Sequence, residues 1–399
     1  MIYMKRRIPL LYIAITVLFF TLVNWYVLSG LEVLIPSNYT LPIFSFFIIA
    51  VVGSLIYSIQ GFNSRGTDRF FYISTHVALT LIAAELVLVL MLLAGDVPRL
   101  FIGGERSFYW VGASFVLFLL VVLLFAYGIF FGKYNYRVIN HVLYFDDLPE
   151  NFEGFRLVQI SDVHAGSFTN AAAVQRGIHL INKQEADLFV FTGDIVNNKA
   201  EELKPWLPYF SQIKAPYGQF SILGNHDYGD YVKWPSAAAA QDNLRQLKAY
   251  HHELGFRLLL DEHVKITKGD QHIVLAGVEN WGIGFGERGD LQKAMANTQA
   301  NDFKILLSHD PSHWEAQVKT FEPKIDLTLA GHTHGMQFGV EAFGIKWSPV
   351  KYRYAHWAGL KAENKRVLNI NRGFGFIGFS GRIGIWPEIT VIELRKSKG

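Results

Sequence analysis

The apolar positions of this chain fall into two regimes. Over the first third they form unbroken runs at residues 8–28, 41–59, 73–94 and 108–131, each about 20 residues and long enough to cross a bilayer as a helix. The first run lacks the short apolar core and small-residue cleavage site of a signal peptide, so it is expected to remain as a helix. From about residue 135 the runs shorten, and polar stretches containing Gly and Pro separate them. Strands are expected at 136–145, 155–160, 187–192, 218–223, 257–260, 264–267, 272–278, 303–307 and 325–329, and helices at 171–183, 201–213 and 234–255. Strands alternating with helices predict a layered α/β domain. Residues 1–134 are thus read as a four-helix transmembrane domain and residues 135–399 as an α/β domain.

Four spans return the chain to its starting side. Lys5, Arg6, Arg7, Arg65, Arg69, Lys133 and Arg137 flank the spans on one side, against Arg99 and Arg106 on the other. The bias predicts that both termini and the α/β domain are cytoplasmic. Glu85 lies near the middle of the third run. An ionisable group there suggests function, with His76 or Asn24 as partners, or a bond within the bundle.

Composition narrows the chemistry. The chain is 51% hydrophobic, which fits a membrane protein, and its net charge of +3 includes no basic tract for nucleic acid. It has no cysteine, so a metal site must be built from His, Asp, Glu and Asn.

Those residues recur at strand ends. Five apolar runs terminate in, respectively, Asp162 and His164; Asp194; Asn225 and His226; His309; and His332 and His334. Residues at i and i+2 of an extended segment point the same way, so Asp162 with His164, and His332 with His334, can each grip from one side. Nitrogen and oxygen donors in this number suit two divalent ions of the Mn, Fe, Zn or Ni kind better than calcium. Two such ions about 3.5–4 Å apart clamp an in-line displacement at phosphorus. In Gly224-Asn225-His226-Asp227 one short loop offers a ligand, an acid and a carboxylate able to orient that acid. His251, His252, His263, His272, His313 and His356 lack this context and are read as ordinary histidines.

The order Asp-x-His, Gly-Asp, Gly-Asn-His-Asp, His, Gly-His-x-His over residues 135–399 resembles the calcineurin-like metallophosphoesterases, and the chain looks like a membrane-anchored bacterial-type member. The resemblance implies a ββ-sandwich flanked by helices in four layers. It also implies one metal on Asp162, His164, Asp194 and His334, and a second on Asp194, Asn225, His309 and His332. His226 would protonate the leaving oxygen or bind the phosphoryl group, and Asp227 would orient it. Asn197 stands where the family often has Asp, which implies a modest effect. Similar members end in a segment matched by Arg382, Gly384, Pro387 and Glu388. Arg382 is then a candidate phosphate contact or a structural ion pair.

The residues after His334 are rich in aromatics, among them Phe338, Phe343, Trp347, Tyr352, Tyr354, Trp357, Phe374, Phe376, Phe379 and Trp386. Most are expected in the core; some could form an apolar rim for acyl chains. The expected function is hydrolysis of a phosphoester or pyrophosphate by metal-activated hydroxide, with a lipid-linked substrate such as a diacylglucosamine diphosphate as the leading candidate. The alternatives are a catalytically silent membrane receptor or scaffold, and a transporter with a regulatory phosphoesterase domain.

Overall fold

A computed structural model describes residues 10–65, 68–342 and 344–397. The basic tail at Lys5, Arg6 and Arg7, the first two residues of the first expected span and Phe343 lie outside them. The chain folds as two compact units, residues 1–127 and 128–399.

In the first unit the apolar runs are helices α1 (Leu10–Leu34), α2 (Thr40–Arg65), α3 (Arg69–Ile102) and α4 (Phe108–Phe130), the last of which runs into the second unit. All four are long and apolar enough to span a membrane. Val27, Leu88, Leu92 and Val111 form a small buried cluster among them. A polar knot accompanies it. The Asp96 carboxylate accepts from Tyr26 Oη at 2.7 Å and Arg99 Nη1 at 2.8 Å, and Arg106 binds the same carboxylate while donating to Ser29 Oγ at 2.8 Å. One acid thus ties α1, α3 and the loop before α4. Glu85 is buried on α3 beside Ala84 and Leu88. His76 and Asn24, expected as its partners, bond to the carbonyls of Tyr72 and Phe20 one turn back.

The second unit opens with β1 (Arg137–Phe145) and β2 (Phe155–Ile160), followed by α5 (Ala171–Asn182) and β3 (Leu188–Thr192). The helix expected at 201–213 is a 3-10 turn, Ala200–Trp206, and a single α-turn, α6 (Leu207–Phe210). Pro205 and Pro208 remove the donors that a continuous helix would need. Then come β4 (Gln219–Ile222) and α7 (Ala237–Glu253). α7 starts later than expected because Ser236 caps it, accepting from the Ala239 N–H.

The remaining strands are β5 (Arg257–Leu258), β6 (Glu262–Lys268), β7 (Gln271–Gly277), β8 (Trp281–Gly282), β9 (Gly286–Glu287), β10 (Lys304–Leu307), β11 (Leu327–Ala330), β12 (Val340–Ala342), β13 (Ile345–Trp347), β14 (Gly359–Glu363), β15 (Arg366–Ile370) and β16 (Glu388–Lys396). Two six-stranded sheets form, ordered β1-β16-β2-β3-β4-β5 and β14-β15-β11-β10-β7-β6. β2, β3, β4 and β5 run parallel in the first, as do β7, β10, β11 and β15 in the second.

Alternation along the strands sorts the core into layers. Leu157, Leu188, Val190 and Ile222 face Ile273, Leu275, Ile305, Leu307 and Leu329 between the sheets. Val158, Ile160, Phe189 and Phe191 point the other way, onto Val174, Ile178 and Leu247 of α5 and α7. Ala276, Leu306 and Ile370 pack on Leu291, Met295 and Trp314 outside the second sheet. The result is the expected ββ-sandwich flanked by helical segments. Parallel register has a further effect: β2, β3 and β4 all end at one edge of the first sheet, and β10 and β11 likewise at one edge of the second.

Candidate active site

Each of those strand ends delivers the residues expected from it. The chain must turn sharply to aim short side chains back over the sheet edge, and it does so in the left-handed region. Asp162, His164, Asp194, His332 and His334 have φ of 51°, 47°, 63°, 71° and 50°. Non-glycine residues rarely adopt this conformation, and it gathers at functional sites. Close approach is also built in. At Gly224 a Cβ would run into Asp194 Oδ1, so no larger residue fits between these two loops.

Two groups of donors result: Asp162, His164 and His334, and Asp194, His309 and His332. His334 Nε2 is 3.3 Å from Asp162 Oδ1 and 2.9 Å from His164 Nε2. Asp194 Oδ2 lies 3.6 Å from His164 Nε2 and 3.2 Å from His309 Nε2, so this one carboxylate faces both groups. Asn225 Oδ1 and His332 Nδ1 meet at 2.9 Å.

The electrostatics fit a cation. Burial pushes the imidazoles of His164 and His332 down to about 3 and about 4, which leaves them neutral with a lone pair to give. Burial would raise Asp194, but His309, His226 and His164 hold its carboxyl well below the usual range. Burial would lower His309, yet Asp194 pushes it up to about 10, a proton that a metal ion would replace. His309 Nε2 is buried with the Asp194 carboxylate beside it, at 3.2 Å and out of line for a well-formed hydrogen bond. His309 Nδ1 donates to the Thr192 carbonyl at 2.7 Å, which leaves Nε2 as the nitrogen turned towards Asp194 and the one that an ion would meet. Carboxylate oxygens and imidazole nitrogens that converge in a buried pocket are the chemistry of a metal site.

His226 is partly exposed and stands beside both groups. Its backbone N–H donates to Asp194 Oδ1 at 2.8 Å, and its Nδ1 donates to the Asn197 carbonyl at 2.8 Å. The expected orienting role of Asp227 is therefore corrected. Fully buried, Asp227 accepts the backbone N–H groups of Asp194, Ile195, Val196 and Gly224. It braces the β3 and β4 loops against each other, and a carbonyl orients the histidine instead.

Arg382 is also reassigned. It is fully buried, and its guanidinium donates to the carbonyls of Gly375, Arg372 and Gly373 and lies 3.2 Å from His334 Nδ1. It supports the His334 ring from behind and has no face open to phosphate. The nearby Glu388 carboxylate pairs with Arg372, at 2.5 Å.

Asp310 has a place the strand-end pattern did not assign. Its Oδ2 lies 3.4 Å from His332 Nε2 and accepts the Tyr354 hydroxyl at 3.1 Å. A buried carboxylate behind the Nε2 of a candidate ligand favours the Nε2–H tautomer, which would turn the Nδ1 lone pair towards Asn225 Oδ1, where a cation could sit between them. The signal available was its position next to His309 at the same strand end. Of the histidines set aside, His251 bonds to Ser221 and His313 to Ser308, both within the core. Among the aromatics, Trp357, Phe374 and Phe376 are core, while Phe338 and Trp347 are half-buried and Tyr352 is exposed.

A double donor cluster at the mouth of a ββ-sandwich is the arrangement that a metal-dependent phosphoesterase requires. Residues 155–336 match the family model of calcineurin-like phosphoesterases, and residues 6–133 match that of a transmembrane domain found in probable calcineurin-like phosphoesterases. An uncharacterised metallophosphoesterase of Bacillus subtilis, YkuE, is 27% identical over 68% of this chain and 90% of its own. An uncharacterised metallophosphoesterase of Campylobacter jejuni is 24% identical over 98% of this chain and 99% of its own. A zebrafish (Danio rerio) transmembrane protein with a metallophosphoesterase domain is 27% identical over 70% of this chain and 62% of its own. Over residues 155–336 the chain is thus similar to calcineurin-like phosphoesterases, and its four apolar helices and the match over residues 6–133 make it an integral membrane protein with a metallophosphoesterase domain.

Proposed function

We propose that this protein is a dimetal phosphoesterase that cleaves a phosphoester or pyrophosphate of a membrane-borne substrate. One divalent ion is held by Asp162, His164, Asp194 and His334, and the other by Asp194, Asn225, His309 and His332. The position of Asp194 Oδ2, within 3.6 Å of His164 Nε2 and 3.2 Å of His309 Nε2, carries this assignment. When bound, divalent ions of the Mn, Fe, Zn or Ni kind supply Lewis acidity and water of near-neutral pKa, so no carboxylate base is required.

The chain's own residues do the rest. Asp194 holds the two groups in register and, through Oδ1, fixes the His226 backbone. His226, held at Nδ1 by Asn197, has Nε2 left for the substrate, where it donates a proton to the leaving oxygen. Asp227 and Arg382 keep the loops and the His334 ring rigid.

A lipid-linked substrate is supported by the segment directly after His334. Met336 and Ile345 are 57% exposed, and Phe338 and Trp347 are half-buried beside them in sequence. The charge bias along the spans supports a cytoplasmic active site.

The test uses the full chain in detergent. Hydrolysis of an aryl phosphodiester that depends on added Mn²⁺ is expected, followed by release of phosphorylated headgroups from a lipid extract. Absence of both would remove the enzymatic assignment, and activity on the aryl ester alone would remove the lipid substrate. Protease added to intact cells should leave residues 135–399 uncut; cleavage there would reverse the orientation.

A further inference from the structure

Tyr231 lies in the loop between the His226–Tyr228 turn and α7, and it touches two site residues at once. Asn225 Nδ2 donates to its hydroxyl at 2.8 Å. Its ring stands 4.6 Å from that of His226, tilted by 36°. The side chain is 51% exposed, so burial in the core does not explain its placement. The loop is anchored next to it: Asp230 pairs with Arg288 at 2.9 Å, and the Arg288 guanidinium covers the Tyr228 ring at 3.9 Å.

We infer that Tyr231 is a positioning residue that latches the Asn225 amide onto the second metal position and walls the His226 ring. This rests on the dimetal assignment above. An asparagine is a weak ligand, and its amide has one useful end, the oxygen. Asn225 Oδ1 already points to the place shared with His332 Nδ1, 2.9 Å away. Rotation that would swing Oδ1 away must break the bond from Nδ2 to Tyr231. The hydroxyl therefore acts on metal affinity through Asn225, whereas the ring acts on the acid.

The two effects separate experimentally. In the full chain in detergent, Tyr231→Phe keeps the ring and removes the latch. The Mn²⁺ concentration for half-maximal hydrolysis of an aryl phosphodiester should rise about tenfold, the worth of one well-placed hydrogen bond. The kcat at saturating Mn²⁺ should stay within about twofold of the parent. Tyr231→Leu should show the same Mn²⁺ shift together with a lower kcat that excess Mn²⁺ does not restore. Direct Mn²⁺ titration by calorimetry reads the latch independently of turnover. If the parent protein bound Mn²⁺ without hydrolysing the ester, the enzymatic assignment would fail while the latch was still measured. Unaltered Mn²⁺ affinity in Tyr231→Phe would overturn the inference. So would a drop in Tm and kcat that is the same at every Mn²⁺ concentration.

Discussion

The Nδ1 of His226 lies 2.8 Å from the carbonyl oxygen of Asn197, so a backbone group at the end of the β3 loop sets the ring's tautomer and direction. The side chain of Asn197 faces elsewhere, onto Ser167 at 3.1 Å. In the proposed function, residue 197 thus acts on His226 through its main chain. An amide side chain at this position is therefore compatible with the placement of the His226 ring.

Asn197→Ala should then leave turnover within about threefold, with the lost Ser167 bond costing about 1 kcal/mol of stability. His226→Ala should retain bound metal while turnover falls about 10²–10⁴-fold, the usual worth of general acid help. Steady-state rates with metal analysis on both variants check the pair. Equal rate losses would place the work on the Asn197 side chain.

Asp194 faces both donor groups, so Asp194→Ala should lose metal from both positions and drop turnover by about 10³-fold or more, on the scale of removing a principal electrostatic group. Metal content by mass spectrometry decides it. Full occupancy in the variant would show that the two groups bind independently of this carboxylate.

Much of this site was legible because parallel strands that end together must bring their next residues together, and the apolar runs before Asp162, Asp194, Asn225, His309 and His332 marked those ends. The sheet order was less accessible. β16 inserts between β1 and β2, a pairing of residues 388–396 with the start of the domain that no local pattern encodes. The segment expected as one helix at 201–213 does bury Leu203, Leu207 and Phe210, but the two prolines break it into turns. The direction of Asp227 could not be read either. In a tight turn adjacent residues diverge, and four backbone N–H groups claimed the carboxylate that sequence proximity assigned to His226.

Asp310 and Tyr354 are 44 residues apart, and only the fold shows their shared hold on His332. Asp310→Asn should weaken Mn²⁺ binding about 10–100-fold, the typical cost of losing a carboxylate behind a ligating imidazole. Calorimetric titration measures this directly. Tyr354→Phe, which keeps the carboxylate, should show a smaller shift in the same direction. A normal Mn²⁺ affinity in Asp310→Asn would remove the orienting role.

Stability in acid depends on a residue outside the site. His251 is fully buried on α7, and its Nδ1 shares a hydrogen with Ser221 Oγ at 2.9 Å. Burial pushes its imidazole down to about 3, against an ordinary value near 6.5 in the unfolded chain. Between these two values the unfolded state binds a proton that the folded state refuses, so stability falls as pH drops. Above about pH 6.5 the group costs nothing. From there down towards pH 3 it withdraws up to about 1.4 kcal/mol per pH unit, until the folded form can also take the proton. His251→Gln retains a polar group able to bond to Ser221 and does not titrate. Its stability at pH 8 should be lower than that of the parent, since a flexible amide replaces a packed ring that lies 6.2 Å from Phe191. Its denaturation midpoint should nevertheless decline less steeply between pH 6.5 and 4. Chemical denaturation of the metal-free full chain across that range, followed by tryptophan fluorescence, gives both slopes. Metal-free protein is needed because the site histidines would otherwise release their ions in the same interval. Parallel slopes for parent and variant would show that His251 takes up its proton without unfolding the α7 face.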